Sequence, residues 1–110
     1  MRTASATLAL LLPACSAGVA ARPAAPERVE IVNYAFTPKS LTVRAGTTVT
    51  WTERDEDVAG RGAHTVSGDG FTSALLAKGA TYAHTFERPG TYAYLCGIHN
   101  YMTGTVVVEP

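Results

Sequence analysis

Cysteine and methionine are scarce: the 110 residues hold two of each, alongside three histidines and one tryptophan. So few cysteines exclude a framework of several disulfides. Charge of one sign is also lacking, because nine Lys+Arg balance nine Asp+Glu. With no basic stripe, a nucleic-acid partner is not expected. Long hydrophobic runs are missing too. The apolar stretch from Ala4 to Leu12 is too short for a permanent bilayer span. Nothing reads as a βαβ unit, an internal repeat or a low-complexity tract, which removes the doubly wound and solenoid architectures.

What is present begins with a leader. Arg2, the short apolar run, and the small residues Ala14, Ser16, Ala17, Gly18, Ala20 and Ala21 have the form of a cleaved signal peptide over residues 1–21. Residues 22–26 (Arg-Pro-Ala-Ala-Pro) form a linker, and 27–110 form one domain. The expected location is periplasmic or otherwise exported from a bacterium. An alternative reading takes Leu12-Pro13-Ala14-Cys15 as a lipobox, with Cys15 as a lipid anchor. Pro13 is atypical there, so the soluble product is favoured, and a monomer is expected. Cleavage leaves Cys96 and Met102 as the last residues of their kinds, so no internal disulfide can form in the oxidising compartment.

From Glu27 the chain alternates with period two and is punctuated by Gly and Pro. Val29 and Ile31 share a face, and Pro38 interrupts the ladder. Val49 and Trp51 share a face of a β-branched run, Tyr82, His84 and Phe86 share another, and Tyr92, Tyr94 and Cys96 a third. Ala63 to Val66 reads as a short strand, and residues 71–78 allow one helical turn around Leu75 and Leu76. The acidic run from Glu53 to Asp57 reads as a solvated loop, with charges available to steer a basic partner. Seven to eight short strands at regular spacing predict an all-β, Greek-key sandwich.

Between the last two strands stands Cys96-Gly97-Ile98-His99-Asn100-Tyr101-Met102. Its span is too short for an ordinary helix. In a loop, the thiolate, the imidazole and the thioether can face one point. Two histidines, a cysteine and a weak axial methionine are the ligands of a blue-copper electron-transfer site. The second histidine has to come from elsewhere, and His64 is the best candidate. Three strong donors and one weak one favour copper over structural zinc, which prefers a closed tetrahedron. His84, between Tyr82 and Phe86, reads instead as a structural histidine.

These residues lie within wider patterns: Tyr34-x-Phe36-x-Pro38, Leu41-Thr42-Val43, Gly46-x-x-Val49-x-Trp51, His64-Thr65-Val66, Pro89-Gly90-x-Tyr92-x-Tyr94-x-Cys96 and His99-x-x-Met102. From Val29 to Val108 the chain resembles the cupredoxins, particularly the plastocyanin/amicyanin group. The resemblance implies one type 1 copper ion on His64, Cys96, His99 and Met102. It implies one-electron transfer between transient redox-protein partners, and no enzymatic activity. The alternative is a periplasmic copper-binding or delivery protein of the same fold, against which the single mature methionine counts. Two departures stand out. Where family members often have an Asn that ties the ligand loop, two residues after the Trp, this chain has Glu53, with Asp55 or Asp57 as possible replacements. Asn100 follows the loop histidine where amicyanin has Pro.

Overall fold

Residues 27–56 and 61–110 are described by the computed structural model. The expected leader at 1–21, the expected linker at 22–26 and Asp57 lie outside the described residues. The alternating segments become nine strands: β1 (Glu27–Val32), β2 (Ala35–Thr37), β3 (Ser40–Arg44), β4 (Thr47–Glu53), β5 (Ser67–Gly68), β6 (Phe71–Thr72), β7 (Thr81–Phe86), β8 (Gly90–Leu95) and β9 (Thr103–Glu109). The count exceeds the expected seven to eight because β5 and β6 are two-residue strands framing a tight turn. Strands β2-β1-β4-β7 make one sheet and β3-β9-β8-β5-β6 the other. The chain passes between sheets after β2, β3, β4, β6 and β7, which is the Greek-key sandwich that the pattern predicts.

Period two decides what each sheet buries. In β4 it turns Thr47, Val49, Trp51 and Glu53 inward. In β9 it turns Gly104, Val106 and Val108 inward. Trp51 is fully buried and meets Tyr94 edge-on at 5.4 Å between centroids, with Phe71 at 6.0 Å and Phe86 at 6.4 Å. Such edge and offset contacts add to the apolar area removed from water. Gly104 pairs with Tyr94 across β8 and β9, and a β-carbon there would overlap the Tyr94 ring. The glycine therefore makes room for an aromatic that closes the core.

Two local expectations are corrected. Residues 71–78 form no helical turn; β6 ends at Thr72, and there is no helix among the described residues. His64 does not sit in a strand either. It makes an isolated bridge to Leu76, with His64 N–H to Leu76 O at 3.1 Å and Leu76 N–H to His64 O at 2.8 Å. The apolar Leu76 is drawn into the core, and the segment around it runs extended to satisfy the backbone of His64.

Candidate metal centre

The loop from Cys96 to Met102 is closed by its own backbone. Cys96 N–H donates to Met102 O at 3.0 Å, and Met102 N–H donates to His99 O at 2.8 Å. This tight return brings the thiol and the imidazole to the same side. His64, on the bridge, enters from the neighbouring segment. Nδ1 of His64 and Nδ1 of His99 lie 3.2 Å apart, and Cys96 Sγ is 3.9 Å from each. His64 and Cys96 are fully buried, and Met102 is nearly so. His99 is half-buried, and its neighbours Ile98 and Asn100 are exposed. All four residues expected from the sequence thus lie at one end of the sandwich. His84 is elsewhere, stacked on Phe71 at 5.1 Å and edge-on to Phe86 at 4.7 Å.

Asp55 determines which nitrogen of His64 is free. Asp55 Oδ2 is 3.0 Å from His64 Nε2, and the same carboxylate accepts the N–H groups of Asn33 (2.6 Å) and Tyr34 (2.9 Å). Burial pushes the Asp55 carboxyl up, but the Tyr34 N–H, the His64 ring and the Asn33 N–H outweigh it and leave the pKa below its usual value. An ionised carboxylate accepts and does not donate. The proton of neutral His64 is therefore assigned to Nε2, and the Nδ1 lone pair faces the thiol and the other imidazole. Such a donor set fits a soft, redox-active metal ion: one thiolate and two imidazoles with converging Nδ1 atoms, on a loop that ends at the buried Met102.

Glu53 and Asp55 do not belong to a solvated loop, contrary to the reading of the acidic run. Glu53 is fully buried and Asp55 is 9% exposed. Glu53 Oε2 accepts the Asp55 N–H at 2.8 Å, and Oε1 has no hydrogen-bond partner among the described residues. Burial holds the Glu53 carboxyl above its usual range, and the Asp55 N–H and the His64 ring offset this in part. Glu56 is exposed and pairs with Lys78. A steering patch of Glu53, Asp55, Glu56 and Asp57 is thus not what these residues form: two face inward, one is paired, and Asp57 lies outside the described residues.

Neither Glu53 nor Asp55 ties the ligand loop, and Asp57 lies outside the described residues. Among the described residues the tie comes from Thr65, next to His64. Thr65 Oγ1 accepts the Gly97 N–H at 2.7 Å, and the Thr65 N–H points at Cys96 Sγ at 3.4 Å. The signal for it was adjacency: a hydroxyl beside a ligand in an extended segment faces whatever lies across from it. Tyr34, the first residue of the Tyr34-x-Phe36-x-Pro38 pattern, also reaches the site. Its ring meets His64 at 4.9 Å and His99 at 5.0 Å, edge-on to both.

A family model described as "Cupredoxin-like domain" matches residues 4–108. Amicyanin-alpha of Methylorubrum extorquens is 37% identical, over 96% of this chain and 89% of that protein. An amicyanin variant solved in its reduced Cu(I) form at pH 4 superposes with a TM-score of 0.69 at 32% identity, over 76% of this chain and 82% of that one. A copper-containing nitrite reductase from Thermus scotoductus superposes with a TM-score of 0.71 at 34% identity. That match spans 77% of this chain but 22% of the reductase.

Proposed function

The chain belongs to the cupredoxin-like family, and from that premise we propose that it is a type 1 blue-copper electron carrier, not an enzyme, with His64, Cys96, His99 and Met102 as the ligands. One observation carries the reading: the Cys96 thiol lies 3.9 Å from the converged Nδ1 atoms of both histidines. Copper, when bound, supplies a one-electron couple between Cu(I) and Cu(II), and the soft thiolate with borderline imidazoles suits both states.

The residues divide the remaining work. Asp55 holds His64 from behind. Thr65 restrains the loop and directs an N–H at the Cys96 sulfur. His99 is half-buried beside exposed Ile98 and Tyr101, so its ring edge offers the electron a short way out. An uncharged rim suits a transient redox-protein partner, because such encounters are small. We assign the carrier to the periplasm on the strength of the 1–21 leader, and take it to act as a monomer. Delivery of copper is disfavoured by the fully buried thiol, which gives an acceptor protein little access.

The test is copper loading followed by reduction. An intense blue band that bleaches and returns reversibly is expected, and it should vanish in Cys96→Ser while the domain stays folded. Colourless, readily lost copper in the wild type would point to delivery instead.

A further inference from the structure

We propose that Tyr34 is a positioning residue for the metal centre, a wall clamped from behind that holds the rings of His64 and His99 with their Nδ1 atoms converging. The identity of the ion rests on the reading above, but the contacts belong to the protein without it.

The argument starts from a backbone that tyrosine does not favour. β1 and β2 are joined by two residues, Asn33 and Tyr34, between the paired Val32 and Ala35. Both have positive φ, 54° and 57°. A two-residue hairpin with left-handed conformation at both central positions is the type I′ turn, which prefers Asn-Gly. Asn33 fits that preference. Tyr34 does not: in the left-handed region its β-carbon crowds the following carbonyl oxygen, a clash that glycine escapes. An outlier of this kind at a functional end of the fold calls for a reason in the side chain.

The side chain supplies one. Its ring stands at 77° to His64 and at 65° to His99, with centroids 4.9 Å and 5.0 Å away. The two imidazoles are themselves 5.1 Å apart at 68°, so the three rings form one edge-on cluster. Tyr34 is fixed at both ends. Its hydroxyl donates to Arg61 O at 2.6 Å, and its backbone N–H donates to Asp55 at 2.9 Å. Because Asp55 also holds His64, the hairpin, the carboxylate and the first histidine form one connected unit. Among the described residues, no carboxylate holds His99 in this way. It sits on a loop between exposed neighbours, and its third ring contact, Tyr101 at 6.0 Å, is itself 66% exposed. Tyr34 is thus the firm surface against which His99 rests. Holding both rings in one arrangement keeps small the rearrangement between oxidation states.

The test compares Tyr34→Gly with Tyr34→Phe. Glycine relieves the turn and removes the wall; phenylalanine keeps the wall and removes the hydroxyl bond. Thermal unfolding of metal-free Tyr34→Gly should match or exceed the wild type. Its copper should pass to a chelator at least about tenfold faster, the scale on which groups supporting metal ligands act, and its visible band should shift. Tyr34→Phe should stay within about twofold of wild type on the same scale. Wild-type copper loss and spectrum in Tyr34→Gly would overturn the proposal, as would equal acceleration in both variants. If Tyr34→Gly fails to fold, metal-free wild type decides by NMR. Cross-relaxation from the Tyr34 ring to both histidine rings supports the wall, and its absence overturns it. A copper-loaded wild type without a blue band would defeat the proposed function, while the metal-free NMR would still test Tyr34.

Discussion

Asp55 and His64 share a hydrogen bond of 3.0 Å between Oδ2 and Nε2, in a part of the molecule closed to water. The bond orients the ring, selects the tautomer and joins the metal centre to the β1–β2 hairpin. Asp55→Asn keeps the shape but removes the charge, and it places an amide N–H₂ where one of three donors now finds an oxygen. Metal-free Asp55→Asn should lose roughly 1–3 kcal/mol, the cost of leaving a buried donor unmatched. Its Cu(II) affinity should fall about tenfold or more, as is usual when the partner of a ligating histidine is lost. The reduction potential should rise, since a less basic imidazole supports Cu(II) less. Denaturant titration and competitive metal titration check both; unchanged affinity would show that the bond does not tune the ligand.

Glu53 and Asp55 predict opposite responses to pH. The Asp55 pKa is depressed in the folded protein, so its contribution is present above the ordinary carboxylate value and is lost as pH falls through the depressed one. The Glu53 pKa is raised, so the folded state takes up a proton that the unfolded chain releases. Stability therefore declines as pH rises from the ordinary glutamate value, about 4.3, towards the raised one. The metal-free domain should be most stable in mild acid. Glu53→Gln mimics the protonated group, and it should be at least as stable as wild type at neutral pH. It should also lose the decline on the rising side. Unfolding curves across pH decide: a Glu53→Gln profile parallel to wild type would mean that Glu53 is not the group responsible.

The same carboxylates show how far the sequence could be read. The sandwich followed from alternation, and the ligand loop followed from rare residues crowded between two strands. Alternation in Val49-x-Trp51 also implied that position 53 faces inward, since one more step of two reaches it. Composition argued otherwise, because a run of acids ordinarily seeks water. Parity won: β4 continues through Glu53, which accepts the Asp55 N–H, while the Asn33 and Tyr34 N–H groups and His64 waited inside for the Asp55 carboxylate. The bridge from His64 to Leu76 was illegible for a different reason. It pairs two irregular segments: the strand read over Ala63 to Val66 shortens to a single bridge, and the segment of Leu76 carries no alternation. Tyr34 was visible as a motif letter, but its role depends on a hairpin turning back over the loop, a long-range placement that no local pattern encodes.

Thr65 gives a prediction confined to the ligand loop. Its hydroxyl is the 2.7 Å partner of the Gly97 N–H, directly beside Cys96. Thr65→Ala removes that acceptor and should let the loop move, so that copper is lost to a chelator several-fold faster, by about three- to tenfold for a contact of roughly 1 kcal/mol. Thr65→Ser keeps the oxygen and should restore the wild-type rate. If serine and alanine behave alike, the methyl group matters and not the hydrogen bond.

The rim around His99 bears on how electrons leave. Ile98, which precedes His99, is 54% exposed, and Tyr101, whose ring lies 6.0 Å from the half-buried imidazole, is 66% exposed. Apolar groups left in water next to a redox site suit a partner that comes close and then departs, and an exchange of electrons between two copies uses the same face. Charge placed there opposes the meeting of like surfaces, but it leaves the ligands untouched. Ile98→Lys and Asn100→Lys should therefore slow electron self-exchange without moving the visible band. Salt should recover part of the loss, because a Debye length of about 8 Å at physiological ionic strength screens exposed charges. Self-exchange measured by NMR line broadening at several salt concentrations is the check. Unchanged rates in both lysine variants would move the exit away from His99, and a shifted band would mean that the substitutions had disturbed the ligands.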